Sequence, residues 1–223
     1  MLKWVGELIA WRQLMEMNKI LGLSPVIPVV KFSNLEHCSP LGEALLSSGI
    51  RIIEVTLRSD IALQAINKLS LEFPELTVGA GTILSAKNAL DAVENGARFV
   101  VSPGMNSDLE KNLAGIGVPF LPGTSSVTEM MKLLEKGVTY LKFFPAASSG
   151  GIEFLKAIHP VLPGLKFCPT GGIDKNNVMD WLALPNVICV GGSLIAPDKL
   201  VQDENWEEIR KRASWVSGLK LAS

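Results

Sequence analysis

The chain has 223 residues, 48% of them hydrophobic and 19% charged, with 21 basic against 22 acidic side chains and a formal net charge of -1. That length supports one large core, and with no linker in view residues 1–223 read as a single domain. Without a block of like charge nucleic acid is not an expected partner, and no apolar stretch reaches the length of a membrane span.

In chain order, the first element covers residues 1–22. Lys3, Glu7, Arg12, Glu16 and Lys19 break its apolar pattern, so it reads as an extra N-terminal amphipathic helix and not as a signal peptide. Short apolar or β-branched runs then recur as expected strands: Val26–Val30, Ile52–Val55, Thr77–Gly79, Phe99–Val101, Val118–Leu121, Tyr140–Phe143, Lys166–Pro169 and Val187–Val190. Their starts are spaced roughly twenty to twenty-six residues apart with a helix-length segment in each gap, the signature of repeated βα units. The runs are continuously apolar, as parallel strands covered by helices should be. Helix starts are signalled at Ser33-Asn34-Leu35-Glu36, Ser59-Asp60, Ser85, Ser107, Ser126 and Asp174, and stops or turns at Gly49, Gly96, Gly137 and Gly164. The expected fold is α/β, a (β/α)8 TIM barrel with the extra N-terminal helix; a doubly wound open sheet is the alternative, since periodicity does not prove closure.

Cys38, Cys168 and Cys189 have no metal-ligand spacing and read as reduced core thiols of a cytoplasmic protein. His37 and His159 are too far apart for a helical ligand pair, so no metal site is expected. Trp4, Trp11, Trp181, Trp206 and Trp215 all fall in expected helices near the chain ends and read as packing or subunit-contact residues.

Ligands of such a barrel bind at the C-terminal ends of the strands. Lys142 sits in Tyr140-Leu141-Lys142-Phe143-Phe144-Pro145-Ala146, a run otherwise built for burial. Desolvation there disfavours its charged form, and a neutral amine is a Schiff-base nucleophile; the structural alternative is a lysine that snorkels or pairs with a distant acid. Glu54, among Ile52, Ile53 and Val55, is a candidate general acid or base, or one half of a buried ion pair with Arg58 or Lys142. Arg58 has the fork that grips a carboxylate. Strand three ends Gly79-Ala80-Gly81-Thr82 and strand four Ser102-Pro103-Gly104. After strands seven and eight, Thr170-Gly171-Gly172 and Gly191-Gly192-Ser193 place paired glycines and hydroxyls where barrels hold phosphate.

Glu54-Val55-Thr56-Leu57-Arg58, Val78-Gly79-Ala80-Gly81-Thr82, Ser102-Pro103-Gly104, Lys142-Phe143-Phe144-Pro145-Ala146 and Cys168-Pro169-Thr170-Gly171-Gly172-Ile173 resemble the 2-keto-3-deoxy-6-phosphogluconate (KDPG) aldolases, a family that also acts on 4-hydroxy-2-oxoglutarate (KHG). The resemblance runs from about Pro25 to Ala196. It implies a class I aldolase, needing no metal and no cofactor, that takes a small keto-acid phosphate and assembles as a homotrimer. It further implies that Lys142 forms the Schiff base and Glu54 moves protons. Arg58 and Thr82 would hold the pyruvate-end carboxylate, with Thr170 at the same end. Phe144 would wall the pocket, Pro103 would join the substrate-binding set, and Gly171, Gly172, Gly192 and Ser193 would receive the phosphate. Ala147-Ser148-Ser149 and the Thr124–Glu129 loop depart from the family pattern, at positions that bear on the aldehyde end. A phosphosugar isomerase, needing no trappable lysine, and a silent ligand-binding barrel with a Lys142–Glu54 ion pair are the competing readings.

Overall fold

The computed structural model describes residues 16–112 and 115–219. Most of the helix expected over residues 1–22 lies outside them, as do Trp4 and Trp11; residues 16–21 are helical and are termed α1. Nine strands follow: β1 (Val26–Val30), β2 (Ile52–Thr56), β3 (Thr77–Gly81), β4 (Phe99–Val101), β5 (Phe120–Leu121), β6 (Gly123–Thr124), β7 (Tyr140–Phe143), β8 (Lys166–Pro169) and β9 (Val190–Gly192). Between and after them run α2 (Cys38–Ser47), α3 (Ala62–Glu72), α4 (Ala86–Glu94), α5 (Ser107–Asn112), α6 (Val127–Leu134), α7 (Gly151–Ile158), α8 (Val178–Leu182), α9 (Asp198–Gln202) and α10 (Trp206–Ser217).

The result is an α/β fold with a curled, parallel sheet. One set of strands has the order β5-β4-β3-β2-β1-β9 and the other β6-β7-β8. Every pairing between described strands is parallel. Two further parallel bridges, Phe167 with Val187 and Thr170 with Gly191, connect the β8 and β9 segments. The expected strand Val118–Leu121 shortens to β5, and Pro122, which has no N–H for a ladder, separates it from β6, which lies beyond the expected run; the Pro122 carbonyl accepts from the Lys142 N–H at 2.9 Å. The last expected strand, Val187–Val190, is displaced toward Gly192: the Val187 N–H turns back to Leu184 O at 3.0 Å.

The helix signals act as the sequence suggests at Ser85, which accepts from Asn88 N–H, and at Ser126, which forms a reciprocal capping box with Glu129. At α5 the cap is Asn106, one residue before the expected Ser107, and its Oδ1 accepts from Leu109 N–H at 2.9 Å.

Two apolar clusters divide the interior by strand parity. The larger, with Val26, Ile53, Val55, Val100, Leu141, Phe143 and Phe167, lies between the strands and the helices. The smaller joins Ile27, Ile52, Phe99, Val101, Leu121, Cys168 and Cys189 to Met17 and Leu21 of the N-terminal segment, with Tyr140 packed against it. Side chains alternate along a strand. Stepping two residues up from Ile52, Tyr140 and Cys168 on that inner face therefore reaches Glu54, Lys142 and Thr170. All three cysteines are free and buried; desolvation pushes the Cys38 thiol up to about 12 and raises that of Cys189 as well. Trp181 is buried on α8, Trp206 meets the buried His37 edge-on, and Trp215 is 42% exposed.

Candidate active site

The inner face changes from apolar to polar toward the C-terminal ends of the strands, and the change centres on two residues. Lys142 Nζ on β7 lies 3.3 Å from Glu54 Oε1 on β2, with the side chains only 7% and 5% exposed. Of the alternatives open for Glu54, the geometry selects Lys142 over Arg58 as the ionic partner. A buried pair of this kind carries a desolvation cost that packing alone would avoid. One hydrogen bond joins the amine to the carboxylate. The Phe144 ring stands 5.5 Å from Nζ, centroid to nitrogen, and covers the amine on one side.

Glycine makes room for the carboxylate. Gly81 follows β2 in register at the end of β3, paired with Thr56, and a Cβ at Gly81 would collide with Glu54 Oε1. Gly79, paired with Glu54 itself, leaves the space filled by the Phe99 ring. Thr82 then holds a left-handed conformation, φ 60°, that costs a residue with a side chain about 1 kcal/mol or more. Pro103 abuts Gly123, the register neighbour of Lys142. Neither Thr82 nor Pro103 is hydrogen-bonded to the Lys142–Glu54 pair among the described residues.

A cavity of about 420 Å³ is lined by Val29, Arg58, Thr170, Gly171, Gly172, Ile173, Gly192, Ser193 and Asp198, with neither Lys142 nor Glu54 in its lining. It brings together the two glycine loops and Arg58. Thr170, 7% exposed, connects the cavity to β7 through its N–H to Phe143 O at 2.9 Å. The loops after β7 and β8 are joined by Ala146 N–H to Thr170 O at 2.8 Å and Ala147 N–H to Gly171 O at 3.1 Å. Gly171 and Gly172 have φ of 102° and 75°, and such a backbone turns N–H groups toward an anion. Arg58 is exposed at the rim, its Nε donating to Thr56 Oγ1 at 3.1 Å. Asp198 and Val29 were not anticipated: no motif around either marks them. Ala147, one of the departures from the family pattern, sits against Gly172, where an added Cβ would come within 2.5 Å of it.

Comparison with known proteins decides the family. The pattern of KDPG and KHG aldolases matches residues 17–212. The chain is 44% identical over 189 residues to 2-dehydro-3-deoxy-phosphogluconate aldolase of Pseudoalteromonas atlantica, covering 85% of this chain and 88% of that protein. The chain belongs to the KDPG/KHG aldolase family. It is also 40% identical over 205 residues to KHG/KDPG aldolase of Escherichia coli K12, covering 92% and 96% of the two chains. Among solved structures, KDPG aldolase of Legionella pneumophila, with pyruvate captured at low pH as a covalent carbinolamine intermediate, superposes with a TM-score of 0.87 at 45% identity, covering 90% of this chain and 98% of the other. A carbinolamine is what an amine and a ketone form before losing water, the chemistry that a buried lysine at a strand end can supply. No described helix is long and apolar enough to cross a membrane, and no group of three or more His, Cys, Asp or Glu among the described residues is arranged to hold a metal.

Proposed function

We propose that the chain is a class I aldolase, a carbon-carbon lyase, that cleaves KDPG to pyruvate and glyceraldehyde 3-phosphate and also cleaves 4-hydroxy-2-oxoglutarate to pyruvate and glyoxylate. The observation that carries this reading is the buried Lys142 amine 3.3 Å from Glu54, in a family with a relative whose structure holds pyruvate as a carbinolamine.

Lys142 Nζ passes its proton to Glu54 and attacks the C2 carbonyl. The carbinolamine loses water to give an iminium, whose nitrogen accepts the electron pair of the breaking C3–C4 bond. Glu54, ionised again, takes the C4 hydroxyl proton as the aldehyde forms. The enamine left on Lys142 is protonated at C3, and water hydrolyses the resulting iminium to pyruvate and free amine. Arg58, Thr82 and Thr170 hold the carboxylate next to the ketone, Pro103 and Phe144 wall the reacting carbons, and Gly171, Gly172, Gly192 and Ser193 receive the phosphate.

Around this site the strands are read as a closed (β/α)8 barrel. That reading is supported by the two bridges between the β8 and β9 segments and by the chain continuing through Pro122 from β5 to β6. The molecule is read as a homotrimer, on the family resemblance, and as cytoplasmic, on its free cysteines; light scattering should return three chains per particle. The reaction is tested by coupling pyruvate release to lactate dehydrogenase with each substrate. Release from KDPG by the wild type, lost in Lys142→Ala, is expected; turnover surviving in Lys142→Ala would sink the proposal.

A further inference from the structure

Arg58 is the one guanidinium on the 420 Å³ cavity, yet its side chain is long and exposed. An exposed arginine loses side-chain entropy when it grips an anion, so how it is held in advance affects affinity. Its Nε donates to Thr56 Oγ1 at 3.1 Å. Thr56 is 2% exposed, and its hydroxyl lies 3.1 Å from Val30 O on β1.

The direction of each link follows from the chemistry of the groups. A guanidinium can only donate and a carbonyl can only accept. The Thr56 hydroxyl, with one proton, must therefore give it to Val30 O and turn a lone pair toward Arg58 Nε. Both groups that fix the hydroxyl lie on strands: Thr56 is the last residue of β2 and Val30 the last of β1. With Nε occupied, Nη1 and Nη2 remain as a two-pronged fork on a residue that lines the cavity.

We propose that Thr56 is a positioning residue for the substrate carboxylate: a buried hydroxyl that pre-orients Arg58 without touching substrate itself. This rests on the aldolase reading and on Arg58 as the carboxylate clamp. Removing the hydroxyl leaves Arg58 in place and free to move. The loss then falls on capture of the anion and not on the chemistry after capture.

The test uses pyruvate, which has the carboxylate and ketone but no phosphate. Borohydride inactivation is followed against pyruvate concentration in wild type, Thr56→Val, Thr56→Ser and Arg58→Ala, with thermal melting as a check on folding. For Thr56→Val the half-saturating pyruvate should rise roughly tenfold or more, the scale of one hydrogen bond to a charged group. The limiting trapping rate at saturation should stay within about twofold, and Thr56→Ser should restore the wild-type value. If Arg58→Ala weakens capture while folded Thr56→Val matches wild type, the positioning role is wrong and the clamp stands. A shift that Thr56→Ser fails to reverse would overturn it too, because the hydroxyl would not be the cause. If Arg58→Ala leaves capture unchanged, the clamp itself is wrong, and Thr56 has nothing to position. Absence of any adduct in wild type would instead remove the aldolase reading.

Discussion

Lys142 and Glu54 form a pair that burial makes both costly and reactive. Each side chain is nearly excluded from water, so each depends on the other for compensation. Glu54→Gln keeps the shape and removes the base: kcat for cleavage should fall roughly 10²- to 10³-fold, while pyruvate is still trapped on Lys142, as steady-state kinetics and intact mass would show. Gly81→Ala places a methyl group where the Glu54 carboxylate lies. It should lower kcat by about tenfold or more with a stability loss of roughly 1–3 kcal/mol, read by kinetics and denaturant unfolding. Both charged residues were legible in the sequence because a charge inside an apolar run is rare. Their contact was one of two left open for Glu54, since Lys142 lies 88 residues away in the chain and Arg58 is close by. Thr56 had no role legible in the sequence, because its hydroxyl is fixed by Val30 O, a contact that only the β1–β2 pairing creates.

At the level of elements, strand alternation and loop geometry divide the labour. Strands put Lys142, Glu54 and Thr170 on one inner face, and the loops after β8 and β9 bring glycines to the cavity. The two loops after β7 and β8 are bonded to each other, so a change in one is felt in the other. Gly172→Ala combines a left-handed φ of 75° with a contact of 2.5 Å to Ala147. It should raise KM for KDPG about tenfold or more while pyruvate trapping is unchanged, because pyruvate has no phosphate. The same KM for both forms would place the phosphate elsewhere. The spacing of apolar runs revealed the βα repeat, and the serines at 85 and 126 marked helix starts. Strand ends were harder to place: β6 resumes beyond Pro122, past the end of the expected run, and β2 and β3 each run past their apolar stretch, to Thr56 and Gly81, because the pairing partner continues.

The whole molecule keeps its inner space filled below the site and open above it. Met17 and Leu21 close the apolar cluster at the N-terminal ends of the strands, which holds the inner face rigid beneath Lys142. Leu21 is fully buried, so Leu21→Ala should cost about 2–5 kcal/mol in urea unfolding with kcat at 25 °C little changed, as the cluster lies at the opposite end from the cavity. That residues 16–21 are helical was readable from the pattern of charges; that this segment packs into the strands was not, because an amphipathic face does not name its partner. The central claim is that Lys142 is the covalent nucleophile. The most direct measurement is incubation with pyruvate and borohydride, followed by intact mass and peptide mapping. A reduced pyruvyl adduct on Lys142, absent in Lys142→Ala, is the expected result; a folded, active enzyme with no adduct, or with the adduct on another lysine, would contradict it.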